Sequence, residues 1–276
     1  MGRVAVLGSL NVDVVTLVER HPSPGETVLG RAGGRFAGGK GGNQAAAAAR
    51  AGASVRMLAR VGDDDAGVAY AARLRALGID VSAVSTSAGA PTGTALITVD
   101  EHGENSIIVV AGANAEADPS FAREAARLGP GDVLLCSLEV DLGAVADAAR
   151  AAHAAGARVV INLAPYAGLP PDVIALADPV VVNETEMRQL ADSDLLPQSL
   201  LVTFGAAGAR WGTDGVDGIP VASGEVGDTV GAGDAFCGAL AAALASGADP
   251  QAALEVANAA GAAAVRWVGA QPDAAL

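Results

Sequence analysis

Asp228-Thr229-Val230-Gly231-Ala232-Gly233-Asp234-Ala235-Phe236 is the stretch on which the reading of this chain turns. Three small residues precede an aspartate, and a long Ala-rich segment follows, so a tight turn opens onto a helix predicted over residues 233–245. Gly231 and Gly233 admit backbone conformations and close approaches that a Cβ would block. The free N–H groups at the helix start face whatever lies in front, and the helix dipole favours an anion there. Such a nest stabilises the charge that develops on a transferring phosphoryl group. Asp234, at the same point, would accept a proton from an attacking hydroxyl. Taken alone, Asp234 reads equally as a helix N-cap.

Around this stretch, short β-branched runs alternate with Ala/Leu-rich helical ones. That is the pattern of a mostly parallel central sheet with helices on both faces, an α/β three-layer fold. Strands are predicted at 4–8, 55–59, 133–137, 158–162, 179–183 and 200–204. Helices are predicted at 42–51, 66–77, 142–154, 184–191, 233–245 and 250–265. Val133-Leu134-Leu135-Cys136 has the continuous apolar character of a strand buried on both faces. Two segments break the rhythm, 12–36 and 92–110. In the second, runs at 94–99 and 105–110 flank Glu101-His102-Gly103-Glu104, a hairpin signature. Both segments suit strands of a small β-sheet lid over the strand ends, where ligands of open α/β sheets bind. The expectation is one α/β domain over 1–276 with its lid built from these two segments.

Composition narrows the function classes. Hydrophobic residues are 51% of the 276 and aromatics only 3%, so the core must be Ala, Val and Leu. The formal charge of −14 argues against nonspecific binding to nucleic acid and against docking on an anionic membrane. It also requires any phosphate site to make its own positive potential from Lys, Arg, a metal or helix N-termini. Cys136 and Cys237 lack metal-ligand spacing and read as buried free thiols. Neither a signal peptide nor a bilayer-spanning run is apparent, so a cytoplasmic setting is expected.

Further motifs carry candidate chemistry. Ala37-Gly38-Gly39-Lys40-Gly41-Gly42-Asn43-Gln44 opens a helix but is not a Walker A loop, since no Ser or Thr follows the lysine. Lys40 and Asn43 put a cation and an amide into a tight backbone, which suits a polyhydroxy ligand. Asn11 and Asp13 follow the first strand and alternate to one side, where they would bond vicinal hydroxyls, although an Asx-turn explains them as well. Glu139 ends the 133–138 run. Asn183-Glu184-Thr185-Glu186 opens a helix after another strand; these carboxylates complement the dipole or hold Mg²⁺ directly or through water. His21, His102 and His153 have no partner at ligand spacing, and Trp211 reads as packing in a hairpin after Gly208.

Together these motifs resemble those of the PfkB-type carbohydrate kinases, and among them the ribokinases. The resemblance rests on Gly8–Asp13, Pro24–Thr27, Gly38–Ala45, Gly62–Asp64, Ala111–Asn114, Asn183–Glu186, Asp228–Asp234 and Gly269–Pro272. It implies a ribokinase-like fold and ATP-dependent phosphorylation of a sugar primary hydroxyl, ribose by preference. A nucleoside, fructose, 2-keto-3-deoxygluconate or a sugar phosphate is the alternative acceptor, and a noncatalytic sugar-binding protein the alternative class. By position, the resemblance implies that Asn11, Asp13, Gly39, Lys40, Asn43 and Glu139 hold the sugar, with Asp234 as base. Gly231, Ala232 and Gly233 would form the anion hole. Asn183, Thr203, Gly205, Gly208, Gly233 and Asn258 would line the ATP site, and Glu186 would hold Mg²⁺ through water. An activating K⁺ would fall at Asp228, Val230, Ala264 and Gly269. A homodimer through the lid sheets is expected. Two departures stand out: residues 187–199 leave room for a single short helix, and the chain ends soon after Pro272 with the bulky Trp267 nearby.

Overall fold

The computed structural model describes residues 2–267, 269–272 and 274–276. In chain order the elements are strands β1 (Arg3–Leu7), β2 (Asn11–Val18) and β3 (Gly30–Gly38), helix α1 (Lys40–Arg50), β4 (Ser54–Gly62), α2 (Asp65–Ala76), β5 (Asp80–Ser87), β6 (Gly93–Val99) and β7 (Asn105–Val110). They continue with α3 (Ser120–Ala125), β8 (Val133–Cys136), α4 (Leu142–Ala154), β9 (Arg158–Asn162), α5 (Pro171–Leu176), β10 (Val180–Asn183) and α6 (Glu184–Ala191). The chain then forms β11 (Leu200–Thr203), β12 (Gly208–Trp211), β13 (Asp214–Asp217), α7 (Ala232–Ala245) and α8 (Pro250–Ala264).

The main sheet has nine strands in the order β13-β12-β11-β10-β9-β8-β1-β4-β5. Its pairings are parallel from β5 to β11 and antiparallel through the terminal β12–β13 hairpin. Because side chains alternate along a strand, each strand feeds two cores. Val4 and Val6 face one side with Leu135, Val160, Val181 and Leu201, under α1, α2, α7 and α8. Ala5 and Leu7 face the other with Leu134, Cys136, Ile161 and Val182, under α3 to α6. The near-absence of aromatics is met by small residues: α7 buries ten apolar side chains, six of them Ala, and lies close against both α1 and α8. Short side chains allow that close approach, and each Ala also has the highest helix propensity.

The second sheet has four strands in the order β3-β2-β6-β7. β2 pairs antiparallel with β3 and parallel with β6, while β6 and β7 form the expected hairpin. The two irregular segments of the sequence thus become one small sheet, and β2 begins four residues after β1 ends. Residues 26–29 lie in the connection rather than in a strand. Three elements were not anticipated: β5, α3 and α5. The 187–199 region does accommodate only one helix, α6, before β11 begins. Among the described residues no helix is long and apolar enough to cross a membrane. Both cysteines are free and buried, and Trp211 is buried with its indole N–H donating to Ser199 Oγ at 2.8 Å.

Candidate active site

Asp234 lies in the first turn of α7, behind the N-terminal residue Gly231, whose φ of 78° is in the left-handed region. A Cβ at Gly231 would also come within 2.6 Å of Ala270 Cα, so a second reason for glycine exists there. The Asp234 side chain caps nothing, which removes the alternative reading of the sequence. It points instead into the protein, 7% exposed, and its two oxygens accept from different amides. Asn43 Nδ2 donates to Oδ2 at 2.9 Å, and Gln44 Nε2 donates to Oδ1 at 3.0 Å. Burial raises the carboxyl pKa; Lys40 and the two amide donors work against that, and Glu139 adds to it.

Lys40 is the first residue of α1 and stands at the centre of the charges. Desolvation lowers its pKa, but Asp234, Glu139 and Glu186 together outweigh that and hold it raised. Its backbone N–H donates to Glu139 Oε2 at 3.1 Å, and the Ser9 hydroxyl donates to the same oxygen at 2.5 Å. Gly39 has φ 81°, and a Cβ there would stand 2.7 Å from the Asn11 nitrogen. That contact is how β2, β3 and α1 converge. Asn11 is buried, with its Oδ1 accepting from Asn114 Nδ2 at 2.8 Å; Asn114 also clamps both backbone groups of Leu10. Asp13 lies over Gly38, where a Cβ would collide with its carboxylate. Burial, with Glu139 nearby, pushes the Asp13 carboxyl up to about 7.

Two connected cavities lie on the other side of Asp234. A cavity of about 130 Å³ is walled by Lys40, Asn162, Asn183, Glu186, Thr203, Gly231, Gly233 and Asp234, among others. A larger cleft of about 490 Å³ shares Thr203 and Gly233 with it and runs past Gly205, Gly208, Val226 and Asn258. All six residues assigned to ATP by position therefore line one or the other. Asn183 and Glu186 form a capping box at α6: Asn183 Oδ1 accepts from two backbone N–H groups, and Glu186 Oε2 accepts from Asn183 N at 2.8 Å. Burial raises the Glu186 pKa, opposed by Asn183 and by Lys40. Asn258 Nδ2 donates to the Asp217 carbonyl at 2.9 Å.

The four residues assigned to a monovalent cation meet only in part. Asp228 draws Val230 and Gly269 together, accepting from their N–H groups at 3.0 and 3.3 Å. Ala264 is buried with Ala47 and Ala235, and its carbonyl accepts from Trp267 N at 3.0 Å. Trp267 stacks under the Arg50 guanidinium, 5.6 Å away. Among the described residues no group of three or more His, Cys, Asp or Glu is disposed to hold a metal.

The geometry also gives Asn43 protein partners and adds residues that the sequence patterns left without a role. Asn43, expected to hold the sugar, is buried between protein groups: one N–H faces Asp234 and its oxygen accepts from Gln271 Nε2 at 2.8 Å. Its amide is directed at the carboxylate because α1 and α7 pack closely. Gln44, Asn114, Gln271 and Ser9 all sat in motif runs, but no spacing rule connects residues some 100 to 230 positions apart. Asn11, Asp13, Gly39 and Glu139 are not on the walls of the two cavities; they form a cluster on the lid side, joined to the cavities through Lys40.

The comparisons with known proteins agree with this architecture. The sequence profile described as pfkB family carbohydrate kinase matches residues 1–275. The chain is 37% identical to the ribokinase of Bacillus subtilis (strain 168) over 280 residues, covering 98% of this chain and 95% of that one. It is 33% identical to the deoxyribokinase of Salmonella typhi, covering 91% of this chain and 89% of that one. The Arabidopsis thaliana ribokinase structure complexed with ribose and ATP superimposes with a TM-score of 0.86 at 28% identity, over 98% of this chain and 95% of that one.

Proposed function

The chain belongs to the pfkB family of carbohydrate kinases, and we propose that its own reaction is transfer of the γ-phosphoryl group of ATP to the primary hydroxyl of D-ribose, giving ribose 5-phosphate. The observation that carries this reading is the position of Asp234: a buried carboxylate, beside Lys40, on the wall between a lid-side polar cluster and a cleft of nucleotide size. Asp234 takes the hydroxyl proton as the oxygen attacks. The first-turn backbone of α7, Gly231 to Gly233, carries N–H groups that have no i−4 partner within the helix, and these receive the charge on the transferring group. Asn43 and Gln44 orient the base.

On the sugar side, Asn11, Asp13, Gly39 and Lys40 would bind hydroxyls, with Glu139 fixing the Lys40 loop. Lys40 there stands among Asp234, Glu139 and Glu186, so the cluster suits a neutral polyol and repels a sugar phosphate. The lid supplies no aromatic surface on β6 or β7 for a nucleobase, which favours a free sugar over a nucleoside. The ribokinase and deoxyribokinase relatives point to a pentose. On the nucleotide side, Thr203, Gly205, Gly208, Gly233 and Asn258 would flank ATP, with Asn183 toward its phosphates.

One carboxylate, Glu186, lining the cavity beside the phosphate position, matches how Mg²⁺ is held, by one or two carboxylates plus substrate phosphates. When bound, the ion neutralises phosphate charge. Asp228, which gathers Val230 and Gly269 through their N–H groups, would supply a carboxylate to a K⁺ ion next to the anion hole, with the carbonyls of Val230, Ala264 and Gly269 as its further ligands. Cytoplasmic residence accords with two free cysteines and with the need for ATP. The unpaired outer edge of β7 makes the lid sheet a surface for homodimerisation.

The test is ADP release from MgATP with ribose, 2-deoxyribose, fructose, 2-keto-3-deoxygluconate and a nucleoside as acceptors. The highest kcat/KM is expected with ribose. A nucleoside winning, or no acceptor working while sugar still binds, would overturn the assignment.

A further inference from the structure

A line of polar side chains runs from helix α2 to the catalytic carboxylate. Arg73 Nη2 donates to Gln271 Oε1 at 3.1 Å, Gln271 Nε2 donates to Asn43 Oδ1 at 2.8 Å, and Asn43 Nδ2 donates to Asp234 Oδ2 at 2.9 Å. Gln271 is 1% exposed and Asn43 7%, so bulk water does not compete for these groups. One turn before Arg73, the Tyr70 hydroxyl donates to the Gly38 carbonyl at 2.6 Å and ties α2 to the strand that leads into Lys40.

The two ends of this line are chemically fixed. A guanidinium has donors and no acceptor, whereas an ionised carboxylate only accepts. An amide between them satisfies both neighbours in one orientation only. Arg73, together with the Ala37 carbonyl that accepts from Gln271 Nε2 at 3.4 Å, obliges Gln271 to present its oxygen outward and its NH₂ to Asn43. Asn43 must then turn its oxygen to Gln271 and its NH₂ to Asp234. Reversed, the Asn43 oxygen would face a carboxylate oxygen across a buried contact, which costs far more than a lost hydrogen bond.

We infer that Gln271 and Arg73 are positioning residues for the phosphoryl transfer, holding Asp234 ionised and aimed at the acceptor by fixing which way the Asn43 amide faces. The inference rests on Asp234 being the base, as proposed above. The other groups around Asp234 do not replace this device. Lys40 from α1 favours its ionised form, Glu139 from the loop after β8 disfavours it, and Glu186 from α6 acts on Lys40; Cys237 on α7 is a buried thiol held protonated. Gln44 serves the second oxygen. The short segment after α8 thereby reaches the reaction centre without touching substrate.

Gln271→Glu tests this, because the new side chain has the same shape and keeps an acceptor for Arg73 but has no donor for Asn43. The expected result is a kcat lower by about 10- to 100-fold, with KM for ribose and ATP within about threefold, since a hydrogen bond to a charged group is lost only at the base. The acid limb of the kcat–pH profile moves to higher pH, because Asp234 ionises less readily without its donor. Circular dichroism at the assay temperature checks that the variant is folded, because its carboxylate pairs with Arg73 but loses the donor to Asn43 and Ala37. Wild-type kcat in Gln271→Glu, with Asp234→Asn inactive, overturns the relay alone. Full turnover in Asp234→Asn removes the base reading on which it stands. Should Gln271→Glu fold poorly, Arg73→Lys against Arg73→Gln decides. Lysine keeps an obligate donor and glutamine does not, so the lysine variant is expected to turn over about fivefold faster. Equal kcat in the two overturns the inference.

Discussion

Asp13 and Asp234 are both withdrawn from water, and the protein treats them differently. Asp234 has two amide donors and the Lys40 charge to offset burial, as a base must if it is to be ionised at neutral pH. Replacing it by Asn is expected to lower kcat by about 10³-fold, the scale of a lost general base, with ribose KM little changed. A coupled ADP assay over a ribose titration measures both. Asp13 is pushed up to about 7 by burial and by Glu139. Its unfolded value is 3.8, so between those limits the folded chain holds a proton that the unfolded chain has released. Folding stability therefore falls as pH rises through this window, and the cost is complete above about 7. Asp13→Asn removes it: the variant should melt several degrees higher than the parent at pH 8, roughly 2 kcal/mol, and no higher at pH 4. Ribose affinity should fall at the same time, the usual trade between a functional carboxylate and stability. Melting curves at the two pH values, with ribose calorimetry, check both halves.

At the scale of elements, the start of α7 is the most constrained point. Gly231 has positive φ and no room for a Cβ beside Ala270, so Gly231→Ala should destabilise by about 2 kcal/mol or more, from αL strain plus the clash. It should also lower kcat, since Gly233 and Asp234 follow directly; urea unfolding and turnover of the same preparation test the two together. The elements that sequence patterning missed have a common cause. β5 (Asp-Val-Ser-Ala-Val-Ser-Thr-Ser) is a polar edge strand, half-exposed and without a continuous apolar run. Helices α3 and α5 are six residues each, too short for a 3.6-residue period to declare itself. The long Ala-rich helices and the parallel strands buried on both faces were legible because burial imposes a composition on them.

Across the whole molecule, the lid ends in an exposed edge. Every residue of β7 is exposed, Ile108 at 63% and Val109 at 55%, beside Leu96 of β6 at 45%. An apolar strand with an unpaired edge invites pairing with a second copy. Ile108→Lys is expected to shift the protein from dimer to monomer in sedimentation velocity and to raise ribose KM by loosening the lid. A monomeric parent protein would remove this expectation.

What the sequence by itself determined was the α/β layering, the lid segments and the short motifs that meet near Asp234. Each of those depends on local patterns: burial on both strand faces, turn-forming glycines, a helix start. Only the tertiary structure decided which side chain touches which. It joined Asn43 to the Asp234 carboxylate, and brought Gln44 and Gln271 to the same network from opposite ends of the chain. The reason is physical. A buried carboxylate must find donors wherever packing supplies them, and packing joins α1, α7 and the C-terminal segment, a proximity that no spacing within any one of them encodes.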